Sequence, residues 1–521
     1  MGQARGSGFS KIIGRESMAS VVVFLVALPL CMGISIASGV PPTSGLITGI
    51  IGGLVVGALA GSPLQVSGPA AGLTVLVWEI VQHHGLPMVG VIVLLAGLLQ
   101  VGAGLLRLGQ WFRAVSPAVI HGMLAGIGIL IFSSQFHVML DGKPIGKGLD
   151  NLAAIPGALT QALSGGGQPL EALGIGLQTI LVIVAWSYLA PKKLRFLPGA
   201  LVAVIIAVAT AALLHLKIKY IPDLLKNPED ITNIWSVVQL PTLDALTGVF
   251  NTDILVAAVS VAFIASAETL LCASAVDQMH QGPRTKYDRE LCAQGIGNAL
   301  CGLLGALPMT GVIVRSSANV DAGAQTRISA ILHGVWLLVF VSVLPFTLRY
   351  IPVASLSGLL VFTGYKLAYP KVVPKLLHYG KTEASIYLAT IAMIVATDLL
   401  KGVLFGLLLS LIKLLHVFSH LEIKSELDAD GKRVNIDLKG AATLMRLPLL
   451  AAELERLPAG VEIHVHFEHL DYIDHACLDL LTNWEKRHEA TGGVLVIEWE
   501  ELSWKYHRRR RAALKAAVAG E

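Results

Sequence analysis

Gln65-Val-Ser-Gly-Pro-Ala-Ala-Gly72 and Leu307-Pro-Met-Thr-Gly-Val-Ile-Val-Arg-Ser-Ser317 are the two stretches on which the fold turns. Each opens a short apolar run broken by glycine and proline, 66 to 82 and 310 to 322, set among longer unbroken runs. Working outward, apolar runs lie at 17 to 38, 43 to 61, 66 to 82, 87 to 107, 116 to 136, 170 to 189 and 197 to 216. After a polar connection come 253 to 276, 289 to 306, 310 to 322, 327 to 347, 353 to 369, 382 to 399 and 401 to 420. Most approach the roughly 20 residues that carry a helix across a hydrocarbon core about 30 Å thick. The pattern predicts an all-α polytopic membrane domain of 14 spans, seven and seven, with the broken run third in each set. Two sets of odd number sit in opposite orientations, the inverted-repeat plan in which short, interrupted segments at matching positions mark a midplane binding site.

Composition points the same way. Of 521 residues, 54% are hydrophobic and 14% charged, against about 25% charged in soluble domains. The first run is not expected to be a cleaved leader, because no small-residue cleavage pattern closes it before the next begins. Five cysteines, Cys31, Cys272, Cys292, Cys301 and Cys477, have no metal-ligand spacing, so neither disulfides nor zinc nor any other cofactor is expected. A net charge of +4 is too small to indicate a nucleic-acid partner. The basic run Arg508 to Arg511 reads as a solvated tail or a headgroup contact.

An even number of spans puts both termini on one side of the lipid bilayer, and the basic loops identify it as the cytoplasm. Lys11, Arg15, Arg107, Arg113, Lys192, Lys193, Arg195, Arg284, Lys286, Arg289, Lys371, Lys375 and Lys381 all fall there. The other face has short uncharged loops at Pro41-Pro42 and Leu307-Pro308, plus polar loops 141 to 169 and 217 to 252. The expected divisions are a cytoplasmic N-terminal segment 1 to 16, a transport domain 17 to 420 with repeats 17 to 216 and 253 to 420, and a cytoplasmic domain from 422 to 521. In that last part, strand-like alternation at Arg433 to Leu438, Val461 to Phe467 and Gly493 to Trp499, with an amphipathic stretch between, predicts a small mixed sheet with helices on it.

Two short helices meeting head to head aim free N–H groups and positive dipole ends at one point, which is an anion site. Gly68 and Gly311 would let a ligand approach the backbone, with Ser67, Thr310, Val312, Ile313 and Val314 as their neighbours in the cradle. The competing reading is that these glycines only permit tight helix packing. Arg315 stands inside an apolar segment, where a buried charge requires a cavity or partner, unless it snorkels to the interface. Glu268, deep in the eighth run, is the candidate for handling a proton; the alternative is a structural ion pair with Arg315. Asp253, Asp277, Asp321 and Asp398 fall at span ends and read as interfacial, as do His83, His84 and His121.

These residues resemble the SulP family, or solute carrier family 26, of sulfate, bicarbonate, dicarboxylate and halide transporters. The resemblance spans nearly the whole chain and rests on Leu25-Val-Ala-Leu-Pro-Leu-Cys-Met-Gly-Ile-Ser-Ile-Ala-Ser-Gly-Val40, Gln65-Val-Ser-Gly-Pro69, Ser116-Pro-Ala-Val-Ile-His-Gly122 and the Glu268 and Arg315 segments. It implies a repeat of seven and seven split into core and gate bundles, an anion held between the third and tenth helices, elevator-like motion and a homodimer. The C-terminal region resembles a STAS domain, with Phe467-Glu-His-Leu-Asp-Tyr-Ile-Asp-His-Ala-Cys477 at the strand-to-helix turn. Departures matter too. Where many members have Gln after the first-span proline and an aromatic four positions on, this chain has Leu30 and Ile34, implying a less polar pocket lined by Leu30. Threonines that serve sodium-coupled bicarbonate members align with Cys272 and Ile313, which argues against sodium coupling. His475 replaces the phosphorylatable serine that follows the aspartate in related anti-sigma antagonists.

The expectation is a secondary active transporter of sulfate, bicarbonate or a small dicarboxylate, with a proton as coupling ion, in a bacterial inner membrane. A passive anion channel, or a sensor that recruits partners through the STAS domain, stands as the alternative. No nucleotide loop or nucleophile-base set on the cytoplasmic domain indicates an enzyme.

Overall fold

The computed structural model describes the backbone of residues 2–110, 116–191, 194, 197–224, 238, 240–241, 251–368, 372–418, 420–428, 433–458, 460–467 and 470–497. Side chains are described for the same residues apart from 2–12, 375, 417, 418, 471 and 497. Arg113, Lys192, Lys193, Arg195, Lys371, Trp499, Arg508 to Arg511 and most of the 217 to 252 connection lie outside the described residues, as do the side chains of Lys11 and Lys375. The chain divides into two units, Met1–Leu407 and Leu408–Glu521.

The first unit is helical: α1 (Gly2–Ala37), α2 (Pro42–Leu59, with a π-helical turn at Gly52–Val56), α3 (Thr74–His84), α4 (Leu86–Leu105), α5 (Pro117–Met139), α6 (Gly148–Gly165), α7 (Gln168–Leu189) and α8 (Gly199–Leu213). After the connection come α9 (Thr252–Met279), α10 (Tyr287–Leu303), α11 (Ile313–Asp321), α12 (Ile328–Val343), α13 (Val353–Ala368), α14 (Val373–Tyr379), α15 (Lys381–Ala396) and α16 (Leu399–Phe418), the last running into the second unit. Seven of them, α1, α2, α4, α5, α7, α9 and α16, are long and apolar enough to cross a membrane. The two interrupted stretches form β1 (Ser67–Pro69), followed by a 3-10 turn at Ala71–Leu73 into α3, and β2 (Met309–Gly311), which leads into α11.

Helix α1 runs from Gly2 through the expected boundary at residue 16, with no proline before Pro29. Within it Glu16 is buried and accepts from the Gln325, Thr326 and Ser329 amides at 2.8, 2.9 and 3.1 Å, a carboxylate at the positive end of α12. The polar loop 141 to 169 contains α6, which starts where the Lys147 amide donates to Asp150 and packs Ala162 beside Met139 and Leu173.

Helices α4 and α10 lie almost backbone to backbone, because glycines face each other at Gly90/Gly302 and Gly97/Gly295. A Cβ on Gly295 would stand 2.6 Å from Val101 N and 2.7 Å from Gly97 O. Small residues at a crossing are how membrane helices gain dispersion contact without a hydrophobic driving force.

In the second unit, β3 (Leu421–Leu427), β4 (Arg433–Ala442), β5 (Glu462–His466), β6 (Leu470–Ile473) and β7 (Val494–Ile497) form a mixed sheet of order β3-β4-β5-β7, with β6 also on β4. Only β3 pairs antiparallel. Alternate residues Val434, Ile436 and Leu438, with Ile463 and Val465, bury one face under Leu450 and Leu454 of α17 (Leu447–Glu455) and Cys477 and Leu481 of α18 (His475–Ala490).

Candidate anion site

The two interrupted stretches meet in a ribbon. Strands β1 and β2 pair antiparallel, with Ser67 opposite Gly311, Gly68 opposite Thr310 and Pro69 opposite Met309. The Val312 amide extends the pairing to Val66 O at 2.9 Å. From opposite ends of this ribbon the chain turns into the 3-10 start of α3 and into α11, and no side chain caps either α3 or α11. The first-turn amides of α11, at Ile313, Val314 and Arg315, therefore lack intrahelical acceptors and carry the positive end of the helix. Gly52 in the π turn of α2 allows this close approach: a Cβ there would lie 2.8 Å from the Ser67 carbonyl carbon.

Alternation along a strand separates the two faces of the ribbon. Gln65, Ser67 and Gly311 look towards α10, where Gln294 Nε2 donates to Ser67 Oγ and the Gln65 amide fills the place a Gly311 side chain would take. Gly68 looks the other way, and the Arg315 guanidinium occupies the space its Cβ would need. Arg315 is 0% exposed, so it does not snorkel. Its Nη2 donates to Cys31 Sγ on α1 at 3.3 Å, while Nε and Nη1 have no hydrogen-bond partner. Arginine stays charged when buried, so this is a cation facing a thiol rather than a carboxylate.

Glu268 lies on α9 beside Thr310, the residue opposite Gly68. The Gly72 backbone and the Thr310 side chain stand beside its carboxylate, while the Thr310 hydroxyl donates to Gly311 O at 3.3 Å. Gly72 has to be glycine for this approach, since a Cβ would come within 2.6 Å of Oε2. Although the residue is partly exposed, Oε2 itself is sealed and has no partner. Among the described residues no ion pair joins Glu268 to Arg315.

Of the other sequence candidates, Thr310 is buried, Val312 forms the half-exposed entry to α11 and Val314 is 44% exposed. The Ile313 side chain packs with Cys272 against an apolar cluster of Ala19, Leu64, Val276 and Ala324, so only its backbone amide faces the start of α11. Leu30 is buried, and it is the next residue, Cys31, that reaches the guanidinium. Sequence reasoning also missed Glu290, Gln294 and Asn298 on α10, all 0% exposed, which bond to the ribbon and its approach. Their spacing of four in an otherwise apolar run was the available signal.

Glu268 and Arg315 thus flank one face of a ribbon from which helix N-termini diverge, inside a helical unit with membrane-spanning helices. A family model described as Sulfate permease family matches residues 15–390. The putative sulfate transporter YvdB of Bacillus subtilis is 30% identical over 417 residues, 79% of this chain and 75% of that protein. The bicarbonate transporter BicA of Synechocystis is 28% identical over 435 residues, 80% of this chain and 73% of its own length. The solved transmembrane domain of a cyanobacterial bicarbonate transporter BicA superposes with a TM-score of 0.63 at 25% identity, covering 75% of this chain and 97% of that one. The murine solute carrier 26 family member A9 anion transporter, in an inward-facing state, gives a TM-score of 0.74 at 13% identity over 93% and 85%, a likeness of fold alone. The curated relatives are transporters and not enzymes. A multi-pass membrane protein built around this ribbon, the chain belongs to the sulfate permease family of anion transporters.

Proposed function

We propose that the protein is a secondary active transporter of sulfate, bicarbonate or a small dicarboxylate, driven by protons and working by elevator-like alternating access. The anion rests on the Gly68 face of the ribbon, held by the Arg315 guanidinium, by the free amides of α11 from Ile313 to Arg315, and by Thr310, with Val312 and Val314 shaping the approach. Ser67 and Gly311 act from behind, in the strands that carry the site. One observation carries this reading: a wholly buried guanidinium with two unpartnered nitrogens and, among the described residues, no carboxylate within ion-pair distance. Burying a cation so incompletely paired is costly, and an anion that completes it removes the cost.

Glu268 handles the proton. Its Oε2 is sealed from solvent and has no hydrogen-bond partner, which leaves that oxygen free to hold a proton. The apolar packing of Cys272 with Ile313 supports a proton over sodium, since neither residue offers oxygen to a hard cation. The wider assignment is 14 spans in two inverted repeats, 17 to 216 and 253 to 420, divided into core and gate bundles, with a STAS domain over 422 to 521. The setting is a bacterial inner membrane with both termini cytoplasmic and two chains forming a homodimer.

Proteoliposomes carrying the protein will take up labelled sulfate, bicarbonate or oxalate faster under an inward proton gradient. Glu268→Gln will remove the gradient dependence while leaving downhill exchange. Uptake by that variant that still follows the gradient would sink the coupling role. Flux that never exceeds equilibrium would leave the channel reading instead.

A further inference from the structure

Glu290 is 0% exposed, yet among the described residues no basic group lies within ion-pair distance of it. It stands in the first turn of α10 and is held entirely by N–H donors. The Ser62 amide reaches Oε2 at 2.9 Å, and Gln65 Nε2 and Gln294 Nε2 reach Oε1 at 3.3 and 3.1 Å. Gly61 must be glycine here, because a Cβ would come within 2.7 Å of Glu290 N. Several amide donors can hold a buried carboxylate in its charged form without a cation.

The consequence is orientational. A carboxylate accepts only, so it dictates which end of each carboxamide faces it. Gln65 and Gln294 must both present their NH2 groups to Glu290, and those same groups serve the ribbon. Gln294 Nε2 passes its second hydrogen to Ser67 Oγ on β1, and Gln65 Nε2 lies in the space a Gly311 side chain would need on β2. Two turns along the same face of α10, Asn298 completes the mount: its Nδ2 donates to Met309 O at 3.1 Å and its Oδ1 accepts from Met309 N at 2.7 Å. Asn298 Nδ2 also reaches Gln100 Oε1 at 2.7 Å, and Gln100 Nε2 reaches Ser266 Oγ at 3.1 Å on α9, the helix that bears Glu268.

We infer that Glu290 is a positioning residue for the anion site: its carboxylate orients Gln65 and Gln294, and through them sets the two ribbon strands whose opposite face carries Gly68, Thr310 and Arg315. The inference rests on the anion-site reading above. Glu290 itself touches neither Arg315 nor Glu268. Replacing it with glutamine puts an NH2 group in place of one oxygen: set against the Ser62 amide it meets a backbone donor that cannot turn, and set against Gln65 and Gln294, which share Oε1, it requires both carboxamides to flip and reverses the sense of the bond to Ser67.

The test uses the full chain, unfolded thermally in detergent with and without sulfate, bicarbonate or oxalate, and assayed for uptake in proteoliposomes. Glu290→Gln is expected to keep its anion-free midpoint within a few degrees while the KM for uptake rises about tenfold, the loss expected when a hydrogen bond to a charged group is disturbed. Its residual uptake keeps the proton-gradient dependence assigned to Glu268, and Glu290→Asp, which keeps the charge, recovers part of the affinity. Gln294→Met leaves the other donors to Glu290 in place and removes the bond to Ser67, so it serves if Glu290→Gln does not fold and is expected to raise KM similarly. Wild-type KM in either folded variant overturns the inference, as does a collapse of the anion-free midpoint with the anion-induced shift unchanged. Wild-type protein that neither binds nor carries any of these anions overturns the transport reading and this inference with it, a result distinct from a loss confined to the variants.

Discussion

Arg315 and Gly68 form a single unit, since the guanidinium occupies the volume a side chain at residue 68 would take. Arg315→Gln therefore removes the one buried cation of the site, and the KM for anion uptake should rise by about tenfold or more, as for a lost hydrogen bond to a charged group. Gly68→Ala should reach a similar loss by pushing the guanidinium aside, with the protein still inserted; wild-type uptake by Gly68→Ala would show that the close contact is unimportant. Both residues were legible in the sequence, because a charge inside an apolar run and a Gly-Pro break are each costly unless used. Cys31 was not, since a cysteine in an apolar helix reads as a small hydrophobe, and only folding brings it to 3.3 Å from Arg315.

At the scale of elements, the helix pairs stand or fall on close approach. Gly295→Val would drive carbon into the backbone of Gly97 and Val101, and overpacking of that kind costs about 1–3 kcal/mol. A lowered thermal midpoint in detergent is the expected outcome; an unchanged one would mean α4 and α10 can part without cost. The long apolar runs announced their helices, because twenty consecutive apolar residues have few other uses. Helix α6 was hidden, since an amphipathic helix amid polar residues lacks that signal. The ribbon was hidden as well: strands of three residues are too short for alternation to register, and their pairing joins residues 240 or more positions apart. Edge strand β3 escaped notice because its burial falls from Leu421 to an exposed end without alternating, and β6 has four residues.

For the whole molecule, the second unit carries its own core and offers a separate readout. Asp474 caps α18 by accepting from the Cys477 amide at 2.9 Å and from the Leu444 amide. Burial first, and then the neighbouring Asp474, push the Cys477 thiol up to about 12, so almost none of it is thiolate at neutral or mildly alkaline pH. Iodoacetamide at pH 8 should leave the Cys477 peptide unmodified in the native chain and label it in denaturant, as read by mass spectrometry; fast native labelling would contradict this burial. Removing residues 422 to 521 should leave measurable uptake if the membrane unit is the transporter, whereas a mere sensor would show no uptake in either form. By itself the sequence determined the membrane class, the positions of the long apolar helices and the two places where the chain breaks, because these follow from local hydropathy and backbone chemistry. The tertiary structure alone decided which face of the ribbon Arg315 occupies, that Ile313 turns away into an apolar cluster, and that Glu290 stands behind the strands. Those outcomes depend on contacts between residues hundreds of positions apart, and no local pattern encodes them.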